Sequence, residues 1–325
     1  MGNYWRPIPE EGGTYPLAGG WLRFSRVERL SRGSVATVLP ADAVPDEVLG
    51  KLTGRRAEIC GIPMSRPSIM GIVNATPDSF SDGGTYDALT QARMLADAGA
   101  DIVDIGGEST RPGAMEVSEP EEIGRILPVI ETMRRDLPIS VDTRKSGVAR
   151  AAIAAGAGMV NDVSGLDFDP LLAGLVAETG VPLCLMHAQG LPETMQDGPH
   201  YGDVLLDVYD ALAARVRRAE DAGIARDRIM VDPGIGFGKT RAHNRAILSR
   251  ISLFHGLGCP ILLGVSRKRF IGEVAAIGDA AQRGPGTLAL TLAATGQGVQ
   301  MHRVHDVATA VQGLALWREV TERTN

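Results

Sequence analysis

The nine residues from Asp232 to Thr240, DPGIGFGKT, put an aspartate, a lysine and three glycines directly after an apolar run. A phosphate-cradling P-loop would need a glycine five positions before Gly238. Pro233 stands there, so a kinase or NTPase reading fails on its own motif. The aspartate belongs to a wider pattern, because Asn74, Asp142, Asn161, Lys268, Arg303 and His305 also fall at or just past the ends of short aliphatic runs. Amide and carboxylate oxygens accept hydrogen bonds, so Asp142, Asn161 and Asp232 suit a ligand edge rich in N–H donors. Guanidinium groups suit anions, and Arg111 and Arg303 can each clamp a phosphate bidentately. Arg303 and His305 are two apart in an extended run and point the same way, whereas His302 points to the opposite face and cannot share a metal with His305.

The elements that must hold these residues repeat along the chain. Eight short runs, SIMGIVN, ADIVDIGG, PISVDT, MVNDVS, VPLCLMH, RIMVDPG, PILLGVS and VQMHRVH, read as strands. Between them, segments such as YDALTQARMLADAGA and GDVLLDVYDALAARVRRAEDAG carry apolar residues at i, i+3, i+4 and i+7, the helical period. Glycines stop the helices just before strands in AGADIVDIG, AGAGMVNDVSG and TGVPLCLMH. Eight strand–helix units beginning at Ser68 predict an α/β fold, a (β/α)8 TIM barrel spanning 68–325, whose chemistry sits at the strand C-termini. Residues 1–67 have a different texture, with prolines, glycines and a basic stretch around RFSRVERLSRG. They are expected to form an N-terminal extension, with WLRFSRV and ATVLP as a hairpin at the barrel bottom.

Composition narrows the classes. A formal net charge of −6 supplies no basic face for nucleic acid. Cys60, Cys184 and Cys259 are far apart and in no C-x-x-C spacing, which excludes a disulfide framework and a zinc site of that kind. No run of 18 apolar residues and no signal-peptide pattern at the start predict a cytoplasmic protein with no membrane partner. His187 with Gln189 reads equally as a site residue or as a packed or capping histidine. His200, His243 and His255 read as solvated.

The motifs MGIVNATPDSFSDGG, GGESTRPGA, SVDTRKS, AGAGMVNDVSG, LMHAQGLPETMQ, DPGIGFGKT, GVSRKRFIG and RVHDV, in that order, resemble the series of the dihydropteroate synthase family over nearly the whole chain from Ser68. The resemblance implies a transferase of folate biosynthesis. Such an enzyme condenses (7,8-dihydropterin-6-yl)methyl diphosphate with 4-aminobenzoate, giving 7,8-dihydropteroate and diphosphate, and requires Mg2+. It also implies a homodimer. A pterin ring presents N–H donors beside one carbonyl, so Asp142, Asn161 and Asp232 would read it with Lys268, between apolar walls from Met186 and Phe237. By the same resemblance Asn74 contacts Mg2+, Thr110 and Arg111 belong to the second loop of the site, His305 meets the diphosphate and Arg303 lies beside the pterin. Asp82 would close over the methylene cation left when diphosphate departs. Phe80 and Pro112 would wall the 4-aminobenzoate ring, with Ser266 or Lys268 at its carboxylate. Arg269 stands where some relatives carry a small serine and has no assigned role.

Two other readings fit parts of this pattern. A pterin-binding methyltransferase barrel, of the methyltetrahydrofolate:corrinoid type, shares the pterin-reading residues but has no diphosphate to hold, so STRPG and the Arg303/His305 pair argue against it. A non-catalytic pterin-binding paralogue should have lost one of the loop residues, and all of them are present.

Overall fold

The first elements are short antiparallel strands, β1 (Tyr4–Pro9), β2 (Tyr15–Pro16), β3 (Arg23–Leu30) and β4 (Thr37–Pro40), followed by helix α1 (Asp46–Thr53). Strand β3 pairs with all three others, including a β3–β4 hairpin in which Val27 faces Leu39. Phe24 and Val27 are fully buried on one side of β3 and join Leu17, Ala41, Val44 and Leu52 in a small core of their own. The computed structural model describes residues 2–76, 85–109, 115–190 and 198–321, and the side chains of 85–87 are not included.

From Ser68 onward strand and helix alternate as β5 (Ser68–Asn74), α2 (Thr85–Asp97), β6 (Ile102–Gly106), α3 (Glu119–Met133), β7 (Ile139–Asp142), α4 (Ser146–Ala155), β8 (Met159–Asp162), α5 (Leu172–Thr179) and β9 (Leu183–Met186). The second half continues with α6 (Val204–Asp221), β10 (Ile229–Asp232), α7 (Arg241–Leu248), a 3-10 helix at Ile251–Leu257, β11 (Leu262–Leu263), α8 (Arg269–Ala275), α9 (Gly284–Thr295), β12 (Met301–Val304) and α10 (Val307–Thr321). Eight strands pair in parallel in the order β10-β9-β8-β7-β6-β5-β12-β11. A bridge between Val231 and Ile261, just ahead of β11, closes the ring. This is a (β/α)8 barrel.

Side-chain alternation splits each strand between two environments. Ile69, Val73, Val103, Ile105, Val141 and Leu185 point outward into the layer shared with the helices. Met70, Ile102, Met159, Cys184, Met230, Leu262 and Met301 point inward from the strand starts and pack together as the barrel floor. Ile59, Ile62 and Met64, on a turn ahead of β5, complete that cluster and plug the N-terminal mouth. Unbranched methionine suits such a space, because it adapts to the irregular interior of a closing barrel.

The β1–β4 sheet meets α6 and the segment from Arg250 to Leu257. The Tyr4 hydroxyl donates to Asp210 at 2.7 Å, and Arg32 reaches Asp207 and Asp210 at 2.5 and 2.7 Å. Glu28 meets Arg250, and the Ser252 hydroxyl donates to the Pro7 carbonyl at 2.9 Å. This cover corrects one expectation. His255 is fully buried, with Nε2 3.1 Å from the Gln297 carbonyl and its own carbonyl accepting from Arg56 at 3.0 Å. Burial with Arg56 nearby depresses its pKa to about 3.

Candidate active site

One step above the floor, the same alternation turns the barrel interior polar. The inward residues after Ile102, Met159, Met230 and Met301 are Asp104, Asn161, Asp232 and Arg303, and β7 adds Asp142. Asn74 lies at the last position of β5, half-buried, and His305 is one step beyond Arg303. The sequence placed these side chains at strand ends; closure of the ring brings them to one mouth.

Arg303 is the hub. Its Nε donates to Asp104 Oδ2 at 2.6 Å and its Nη2 to Asp142 Oδ2 at 2.7 Å. Asn161 Nδ2 donates to the same Asp104 oxygen at 2.9 Å. Among the described residues, Oδ1 of Asp104 and Oδ1 of Asp142 have no hydrogen-bond partner, although both are buried. A buried, unsatisfied acceptor is costly in a folded protein, so the Asp142 oxygen, at the end of β7, marks where a ligand donor fits. Burial raises the Asp142 pKa, opposed by Arg303 and helped by Asp104. Burial also works against the Arg303 charge, but the two carboxylates outweigh it and keep it protonated.

Across the mouth, Asp232 Oδ1 accepts from the Gly234 amide at 2.7 Å, which fixes the turn after β10. Gly264 lies beside both groups: a Cβ there would be 3.8 Å from Asp232 Oδ2 and 3.9 Å from Lys268 Nζ. Lys268 Nζ donates to the Ile235 carbonyl and sits 4.5 Å over the Phe237 ring. Burial lowers its pKa to about 8, with Asp232 resisting the shift, and raises that of Asp232. Met186 is buried and borders the same loop. Gly234 adopts φ +65°, and a Cβ there would collide with the His187 carbonyl, so only glycine lets the loop lie against the end of β9.

His305 Nδ1 lies 2.8 Å from the Ser266 hydroxyl, which also accepts from the His305 amide at 3.1 Å. Ser266 thereby fixes the ring that the sequence paired with Arg303. Phe80, Asp82, Thr110, Arg111 and Pro112 lie outside the described residues.

Three residues with a part in this arrangement escaped the sequence reading. Asp104 is fully buried at the centre of the mouth. Its signal was the second aspartate of ADIVDIGG, a charge flanked by Val103 and Ile105, which cannot face the helices at low cost. Lys239, the lysine of GFGKT, is buried with Nζ 2.8 Å from the Gly234 carbonyl, 3.0 Å from that of Phe237, 3.2 Å from that of His187 and 2.9 Å from His187 Nδ1. It braces the loop from within, and His187 is its packed partner, with its pKa depressed by burial and by Lys239. Lys145 joins Glu108, at the base of the STRPG loop, to Glu122 of α3 at 2.6 and 2.9 Å. No local pattern marks either lysine as buried.

The family described as "Pterin binding enzyme" matches residues 70–305. The dihydropteroate synthase of Escherichia coli (strain K12) is 45% identical over 264 residues, which cover 79% of this chain and 93% of that protein. Among solved structures, Xanthomonas albilineans dihydropteroate synthase with 4-aminobenzoic acid superposes with a TM-score of 0.78 at 46% identity, covering 83% of this chain and 99% of the other. The same enzyme in complex with 7,8-dihydropteroate gives 0.74 at 41% identity and the same coverage.

Proposed function

The chain belongs to the dihydropteroate synthase family of pterin-binding enzymes, and on that premise we propose how its own residues carry the condensation of (7,8-dihydropterin-6-yl)methyl diphosphate with 4-aminobenzoate. The observation that carries the reading is the buried Oδ1 of Asp142, without a partner among the described residues, at a mouth that Lys268 borders over an apolar wall. A dihydropterin has N–H groups along one edge and a carbonyl beside them, so it satisfies acceptors and a donor together.

In this reading Asp142, Asn161 and Asp232 accept from the pterin edge, Lys268 donates to its carbonyl and N5, and Met186 and Phe237 cover its faces. Thr110 and Arg111 reach the diphosphate from the second loop, with His305 held toward it by Ser266. The bond between the methylene carbon and the diphosphate oxygen breaks first, and the pair of electrons leaves with diphosphate. Electron release from the dihydropterin ring, with Asp82 close by, stabilises the cation left behind. The arylamine of 4-aminobenzoate then forms the new C–N bond and gives up a proton to solvent. It is neutral at pH 7, so no strong base is required. Phe80 and Pro112 hold its ring, and Ser266 or Lys268 its carboxylate.

The donor set near Asn74 fits Mg2+. No group of three His, Cys, Asp or Glu among the described residues is arranged as a metal site. A single amide oxygen from Asn74, completed by substrate phosphates and water, is the shell that Mg2+ commonly takes. When bound there, the ion would neutralise charge on the departing diphosphate. The reading includes a homodimer, which sedimentation at micromolar concentration tests. The decisive experiment mixes the protein with Mg2+, the pterin diphosphate and labelled 4-aminobenzoate. Labelled pteroate that depends on both substrates is expected, and none above background would sink the assignment.

A further inference from the structure

We infer that Asp104 is a positioning residue that sets the orientation of the Asn161 amide, and through it the hydrogen-bonding sense the barrel demands of its ligand. The inference rests on the pterin reading above. Asp104 is fully buried, and its Oδ2 receives both Arg303 Nε at 2.6 Å and Asn161 Nδ2 at 2.9 Å. Amide oxygen and nitrogen are assigned from such networks, and here the network leaves one choice. With the amide reversed, its oxygen would lie against a carboxylate oxygen with no proton between them, deep in the barrel. Asn161 is therefore held with its NH2 toward Asp104 and its oxygen available to the ligand.

The same carboxylate keeps Arg303 in place beside Asp142, which donates nothing and offers Oδ1. Asp104 thus makes neighbouring positions on β7 and β8 both act as acceptors. A ring edge with N–H groups at those points is bound, and one with lone pairs there is refused.

The test uses three full-length variants, Asp104→Leu, Asn161→Asp and the two combined. Because Arg303 and Asn161 share one oxygen of Asp104, an asparagine there could keep both bonds, whereas leucine removes the acceptor. In Asp104→Leu the Asn161 amide is free to reverse, and donor then meets donor at the ligand. Calorimetric affinity for (7,8-dihydropterin-6-yl)methyl diphosphate without 4-aminobenzoate should fall by about tenfold or more. KM for 4-aminobenzoate at saturating pterin should stay within about twofold, because that ring does not touch this edge. In the combined variant the carboxylate on β8 offers an oxygen to the ligand in either orientation. Its pterin affinity should recover to within about threefold of wild type, with Asn161→Asp alone weaker because two carboxylates then face each other. Melting temperatures recorded alongside separate positioning from folding, since a purely structural role for Asp104 would lower affinity and melting temperature together in both the single and the combined variants. Pterin affinity within about twofold of wild type in Asp104→Leu overturns the assignment, as does a combined variant no better than that single one. Wild-type protein that binds no pterin would remove both this assignment and the functional reading, whereas wild-type binding with an indifferent Asp104→Leu removes this one alone.

Discussion

Lys239 and Lys268 stand on either side of the same loop and do opposite work. Lys239 spends its ammonium on three carbonyls and the His187 ring inside the protein. Lys268 makes a carbonyl contact and lies over Phe237 at the mouth. Lys239→Met should therefore cost about 3 kcal/mol of unfolding free energy in urea titration, because several buried acceptors lose their donor. Lys268→Met should melt close to wild type yet bind the pterin diphosphate at least about tenfold more weakly. Equal losses of stability in the two variants would contradict the division. The sequence could not separate them: GFGKT looks like ligand chemistry, and what consumes its lysine is a histidine 52 residues earlier. Asp142, Asn161, Asp232 and Arg303 were legible because each ends an apolar run, where only the barrel mouth can receive a charge.

At the scale of elements, the Lys145 cluster ties the end of β6 to the starts of α3 and α4. Glu108 and Glu122 approach each other, and the buried ammonium between them is what makes that tolerable. Removing one partner of a buried ion cluster typically costs about 3–5 kcal/mol. Lys145→Met should lose stability on that scale, and adding Glu122→Gln should restore part of it; denaturant midpoints check both. A Lys145→Met protein as stable as wild type would mean that the cluster is hydrated. The eight strands were readable as short aliphatic runs between helical segments, since a strand buried on both faces is apolar nearly throughout. The ion cluster beside Glu108 comes from side chains up to 37 residues apart, which no local pattern shows.

For the whole molecule, the barrel and its wall sheet bury histidines that cannot be charged in place. His302 is fully buried, bonded through Nε2 to Thr295, and burial depresses its pKa from 6.5 to about 3. Its folded pKa lies below the unfolded one, so the stability it contributes is complete above pH 6.5 and is lost as pH falls toward 3. The stability advantage of wild type over His302→Gln should thus shrink by about 2 kcal/mol between pH 8 and pH 5. A difference independent of pH would show that the ring is reached by solvent. The pairing of WLRFSRV with ATVLP in the wall sheet was legible, but its partner was not, because nothing local in residues 1–67 names α6 as its dock. That distance has a consequence in time. Arg32 must wait for Asp207, 175 residues later in the chain. At ribosomal speeds of about 5–20 residues per second, the β1–β4 sheet spends roughly 10–35 s without that partner. Its private core of Phe24, Val27 and Leu52 is what it has to hold a shape through that interval.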